Sequence, residues 1–120
     1  MSDCIFCKIV AGTIPSRKVH EDEHLLAFHD IQPVAPVHFV IIPKLHVASL
    51  AECGDEHAGL LGRILLAAPK LAQQQGLGEG FRTIINTGKG GGQTVFHLHA
   101  HVMGGGGPLP FGHAGSKSHA

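Results

Sequence analysis

The sequence predicts a single α+β domain, a five-stranded antiparallel sheet with one short N-terminal helix and one long helix, and three observations carry that prediction. Short apolar runs bounded by turn residues recur between Arg17 and Met103, as strands joined in hairpin-like succession require. One stretch, from about Asp55 to Gln75, instead repeats its apolar residues every three or four positions, the period of a helix with one buried face. Near the end, Val95 to Met103 alternates histidine with apolar residues, and on a strand that period sends alternate side chains to opposite faces. Residues 1–103 hold all of these elements and are expected to form the domain. Residues 104–120, rich in glycine, proline and histidine, form a C-terminal tail.

In chain order, Asp3 can cap a short helix from Cys4 to about Val10, with Ile5, Phe6 and Ile9 on its apolar face and Gly12 as terminator. Arg17 to Glu21 and Leu25 to His29 read as strands around the acidic turn Glu21-Asp22-Glu23, and Ile31 to Pro36 as a proline-stiffened loop. Val37 to Ile42 is a third strand whose nearly continuous apolar run predicts burial on both faces; Pro43 ends it because proline lacks an N–H. In the long helix, Leu60, Leu61, Ile64, Leu65, Ala68, Leu71 and Ala72 make the buried stripe. Pro69 removes one backbone donor and is expected to kink the helix or break it near Ala67, and Gly76-Leu77-Gly78 terminates it. Phe81 to Asn86 is the fourth strand, Gly88 to Gly92 a mobile loop, and Val95 to Met103 the fifth strand.

Composition excludes several function classes. Nine Lys and Arg balance nine Asp and Glu and lie scattered, which leaves no electrostatic footprint for a nucleic-acid polymer or an acidic membrane. Trp and Tyr are absent, so successive bases of a single strand have no stacking platform. Neither an export signal nor an apolar run of membrane-spanning length is present, and a cytoplasmic protein is expected. Three cysteines, Cys4, Cys7 and Cys53, are an odd number in such a chain, which argues against a disulfide framework and leaves metal binding or free thiols.

The chemistry concentrates in His97, His99 and His101, which a strand would place on one face with Leu98, Ala100 and Val102 toward the core. Imidazole changes charge near neutral pH and serves as acid, base, nucleophile or metal ligand. The spacing alone admits three readings: structural histidines satisfied by backbone, a tetrahedral zinc site built by the triad itself, or nucleophilic attack on phosphorus. Gly91, Gly92, Gln93 and Thr94, directly before the triad, favour the third. Amides beside glycine can approach a phosphate closely, and the Gln93 and Thr94 side chains can donate to it.

The pattern Gly91-Gly92-Gln93-Thr94 followed by His97-Leu98-His99-Ala100-His101-Val102-Met103 resembles the signature of the histidine triad superfamily of nucleotide hydrolases and transferases. Cys4 to Ile9, Phe28 to Ile31, Pro36 to Lys44 and Ile85-Asn86 resemble segments of its Hint branch, the nucleoside phosphoramidases, so the likeness covers nearly the whole chain. The resemblance implies His99 as the nucleophile, His101 on the phosphate oxygens, His38 completing the network that orients them, and His97 contributing position. It implies Asp30 as acceptor for the ribose hydroxyls, Asn86 on ribose or phosphate, and Gly92, Gln93 and Thr94 on the phosphate or leaving group. Ile5, Phe6, Ile9, Phe28, His29 and Ile31 would line the base pocket. Many Hint proteins carry serine where this chain has Thr94, which keeps the hydroxyl and adds a methyl group.

A homodimer with joined sheets, purine nucleotide substrates and catalysis without a cofactor follow from the same likeness. Several bacterial members of the superfamily hold a structural zinc with residues that correspond to Cys4, Cys7, His46 and His97; the alternative is two reduced buried thiols. The expected activity is hydrolysis of the phosphorus–nitrogen bond of purine nucleoside phosphoramidates through a nucleotidyl-histidine. Hydrolysis of dinucleoside polyphosphates, another nucleotidyl transfer, a non-catalytic nucleotide-binding adaptor and a zinc-storage protein are its rivals.

Overall fold

The computed structural model describes residues 3–109, so the tail beyond Leu109 lies outside the described residues. Helix α1 spans Ile5–Val10, and its cap is Cys4 rather than Asp3: the Cys4 Sγ accepts the Cys7 N–H at 3.3 Å. Six residues are too few for a helix to stand alone, and α1 is held by burying Phe6 and Ile9. Strands β1 (Lys18–Glu21), β2 (Leu25–His29), β3 (Val37–Pro43), β4 (Arg82–Ile84) and β5 (Ala100–Gly104) form one sheet in the order β1-β2-β3-β5-β4. Every neighbouring pair is antiparallel, as expected.

The apolar runs of β2 and β3 are explained by a sheet covered on both sides. Ala27, Phe39, Ile41, Ala100 and Val102 face helix α2 (Ala58–Gln74) and pack with its Ile64, Ala68, Leu71 and Ala72. Leu26, Phe28, Val40 and Ile42 face the other way and pack with Phe6 and Ile9 of α1. Successive strand residues therefore alternate between two cores, which a purely apolar sequence conceals.

Four expectations need correction. Helix α2 runs unbroken through Pro69, which lies on its exposed side, where water can hydrate the carbonyl of Leu65 that lacks its N–H partner. Leu65 is half exposed rather than part of the buried stripe, and Leu66 beside it is more exposed still. The glycine segment is not a loose loop. Lys89–Gly91 make a tight 3-10 turn closed by Gly91 N–H to Gly88 O at 3.1 Å and Gly92 N–H to Lys89 O at 3.0 Å. The fifth strand begins only at Ala100, because the preceding residues bond outside the ladder; Leu98 N–H goes to Val47 O at 2.7 Å.

Candidate active site

His97 and His99 thus lie before β5 and His101 within it, yet the alternation persists: Leu98, Ala100 and Val102 remain in the α2-side core. The imidazoles face α1, where the Phe6 ring stands edge-on to His99 at 5.1 Å and to His97 at 5.9 Å. His38, His97, His99 and His101 are each no more than 2% exposed. Buried imidazoles need defined partners, and those partners set where each proton resides.

His99 donates its Nδ1–H to the carbonyl of His97 at 2.6 Å, which places the lone pair of the neutral ring on Nε2. Val34 donates its N–H to His38 Nδ1 at 3.1 Å, so His38 carries its proton on Nε2 and gives it to His101 Nδ1 at 2.9 Å. The His101 proton is then on Nε2. Neighbouring rings of His99 and His101, 5.0 Å apart, consequently present a lone pair and an N–H. Asp30 joins this chain: its Oδ2 lies 3.4 Å from His38 Nε2 and 3.9 Å from His101 Nδ1, where it offsets positive charge on a protonated pair. Its Oδ1 accepts the Gln32 N–H at 2.8 Å.

His97 faces a different group. Its Nε2–H goes to the carbonyl of Pro43 at 2.8 Å, turning the Nδ1 lone pair toward Cys4 Sγ at 3.3 Å, Cys7 Sγ at 3.6 Å and His46 Nδ1 at 3.1 Å. Burial holds His97 below the ordinary histidine range, the Pro43 bond opposes this, and the neighbouring His46 and His99 add to the lowering. Cys7 Sγ is 3.3 Å from His46 Nδ1. The edges of a tetrahedron with zinc–nitrogen and zinc–sulfur bonds of ordinary length are about 3.3 to 3.8 Å. All four donor atoms lie within 4.8 Å of one another, and this set could hold a metal ion. Asp30, His38 and His101 also cluster, but the hydrogen bond that joins the two rings makes them a proton relay.

Gln93 is placed differently from its expected role as a phosphate donor. It is 3% exposed, and its Nε2 donates to Ala48 O at 2.8 Å and Val95 O at 2.9 Å while its Oε1 accepts Gly88 N–H at 2.8 Å. The side chain welds the glycine turn to the segment after β3 and to the approach to the triad. Gly92, with φ +88°, adopts the left-handed conformation that glycine allows. Thr94 is exposed between turn and triad, and Asn86 is half-buried after β4.

Of the expected base-pocket residues, Phe6, Ile9 and Phe28 are buried in the α1-side core, whereas Ile5 and Ile31 are exposed at 46% and 94%. His29 is not brought to this face. It pairs with Phe39 of the α2-side core, and strand alternation turns it away from Phe28. Backbone groups of Val34, Pro43 and His97 set the tautomers, and they carry no side-chain signal that sequence reading could find. A cavity of about 640 Å³ at the other end of β5, lined among others by Leu77, Phe81, Arg82, Gly105 and Leu109, includes none of the histidines.

Comparison with known proteins gives a consistent result. Residues 3–114 match the family model described as scavenger mRNA decapping enzyme C-term binding. Protein HitA of Neisseria gonorrhoeae is 55% identical over 104 residues, 87% of this chain and 97% of that protein. A HIT family hydrolase from Legionella pneumophila superposes with a TM-score of 0.88 at 46% identity, covering 92% of this chain and 99% of the other. A histidine triad protein from Clostridium difficile superposes with a TM-score of 0.87, also at 46% identity, over 92% of this chain and 96% of the other.

Proposed function

The chain belongs to the histidine triad family, and on that premise we propose that it is a nucleotide hydrolase, specifically a purine nucleoside phosphoramidase. The observation that carries the reading is the pair of fixed tautomers, a lone pair on His99 Nε2 beside an N–H on His101 Nε2. In the first step the His99 Nε2 lone pair forms a bond to the α-phosphorus, the phosphorus–nitrogen bond breaks, and the departing amine takes a proton. His101 supplies that proton, with His38 behind it in the relay and Asp30 offsetting the charge. Water then attacks phosphorus, returns a proton to the relay and releases the monophosphate from His99. In this reading Gly92 and Thr94 hold the phosphate, and Asp30 and Asn86 the ribose. Ile5 and Ile31, at the exposed rim, with Phe6 behind them, would contact the base.

Mixing the protein with adenosine 5′-phosphoramidate should release AMP and ammonia, with a chain heavier by one adenylyl group in acid-quenched samples. Release without any such adduct would refute the covalent step, and no release would refute the substrate class.

Cys4, Cys7, His46 and His97 fit a structural zinc, which would pin α1 to the segment after β3 and requires no open coordination position. Protein purified without chelator should carry one zinc per chain by elemental analysis, and Cys4→Ser should lose it; full zinc in that variant would remove Cys4 from the set. The catalytic steps themselves need no cofactor. Phe81, exposed next to edge strand β4, and the exposed Leu65 and Leu66 of α2 support a homodimer that joins the sheets. Leu66→Glu should then sediment as a monomer, and an unshifted value would count against this face. No helix among the described residues is long and apolar enough to cross a membrane, and the reduced cysteines fit a cytoplasmic setting.

A further inference from the structure

Two nucleophiles near the site have no part in these steps. Cys4 and Cys7 are half-buried, their sulfurs lie within 4.8 Å of each other, and Phe6 between them presses edge-on against His99. We propose that Cys4 and Cys7 are a redox modification site: a hydroperoxide closes them into a disulfide, and the rearrangement reaches the nucleophile through Phe6 and His97. The proposal rests on the zinc reading only for what the disulfide displaces.

The geometry favours closure. Residues three apart on a helical turn hold their Cβ atoms about 5–6 Å apart. A disulfide needs about 3.5–4.5 Å, so the pair must approach by roughly 1–2 Å. Cys4 can supply that movement because it precedes α1 in extended conformation, at φ −68° and ψ 119°. One sulfur, as thiolate, attacks a peroxide oxygen; the oxygen–oxygen bond breaks and the leaving oxygen takes a proton as water or alcohol. The second sulfur then attacks the sulfenic sulfur, forming the sulfur–sulfur bond and expelling hydroxide, which takes a proton to become water. Two electrons pass from the thiolates to the peroxide. Cys53 lacks this option: it lies outside the cluster, with its Sγ–H on Ser49 O at 3.7 Å, and oxidation there stops short of an internal disulfide.

Closure removes the two anionic ligands and leaves only the imidazoles of His46 and His97. His97 keeps its Pro43 bond but is released at Nδ1, and its carbonyl is the acceptor that orients His99. Phe6 moves with α1. Both links converge on one ring, and a displacement of about 1 Å there is enough for a large loss of rate.

The test is titration of the purified Cys53→Ser protein with hydrogen peroxide, reading three quantities. Intact mass should fall by two hydrogens with a Cys4–Cys7 peptide linkage, zinc should appear in a chromogenic chelator in step with the linkage, and phosphoramidate turnover should fall on the order of tenfold or more. Dithiothreitol with added zinc should restore all three. Peroxide that leaves Cys4 and Cys7 reduced in this protein would overturn the proposal, and so would a disulfide formed with turnover unchanged. A chain purified without zinc that still closes the disulfide and loses turnover would uphold it and overturn the zinc reading. Should the protein not cleave phosphoramidate at all, the phosphoramidase reading fails by itself, and AMP affinity before and after oxidation replaces turnover as the third quantity.

Discussion

Replacing His99 with alanine should lower kcat for adenosine 5′-phosphoramidate by about 10⁴-fold or more, equivalent to about 5.5 kcal/mol of lost transition-state stabilisation. The size follows from what is removed. None of the other three buried imidazoles presents a lone pair as His99 does: His101 and His38 carry their protons on Nε2, and His97 turns its lone pair toward the cysteines. The remaining groups can still bind and polarise the substrate, which leaves weak activity and a KM close to the wild-type value. Folding provides the control. His99 lies in a buried pocket against Phe6, so alanine leaves a cavity, and the thermal midpoint should fall only modestly beside the change in rate. Added imidazole should enter that cavity and recover part of the turnover. An alanine variant with near-wild-type kcat would eliminate His99 as the nucleophile.

The second large effect falls on a residue that touches no substrate. Gln93→Leu is close in volume but strands three partly buried backbone groups, the Gly88 N–H and the carbonyls of Ala48 and Val95, each bonded within 2.9 Å in the native chain. At about 1 kcal/mol or more for each group, the loss is roughly 3 kcal/mol. For a domain of this length that is a fall in Tm on the order of 10 °C, measured by thermal denaturation. Gln93→Glu keeps the acceptor for Gly88 but sets an anion against two carbonyls, so folding should raise the carboxyl pKa above its unfolded value of about 4.3. Stability of this variant should be greatest below that pH and decline as pH rises through the folded pKa, opposite to a salt-bridged carboxylate. Loss of less than about 0.5 kcal/mol in the leucine variant would mean that water or local rearrangement satisfies these groups.

Gln93 also marks where sequence reasoning ended. Its neighbours in the chain suggested a phosphate donor, but its partner Ala48 is 45 residues away, and no local pattern announces such a bond. The strands were legible because their constraint is local: Leu25–His29 matches its expected bounds, and the histidine period kept its faces even where the ladder is absent. Pro69 misled because backbone geometry alone does not reveal which side of a helix meets solvent. Asp3 misled because a thiol one residue later reached the first-turn amide. The place of His97 on one face with His99 and His101 was legible, whereas its ring turned one way by Pro43 and its carbonyl offered the other way to His99 exist only in three dimensions.

The two cores on opposite faces of the sheet separate what selection can alter from what it must keep. Among the described residues the α2-side core contains thirteen buried apolar residues and the α1-side core six. Most of the burial that keeps a marginally stable chain folded therefore lies behind the sheet, away from the histidines. Substitutions at exposed Ile5, Ile31 or Thr94 disturb neither core, so the surface on the histidine side can change while the scaffold behind the sheet keeps the chain folded.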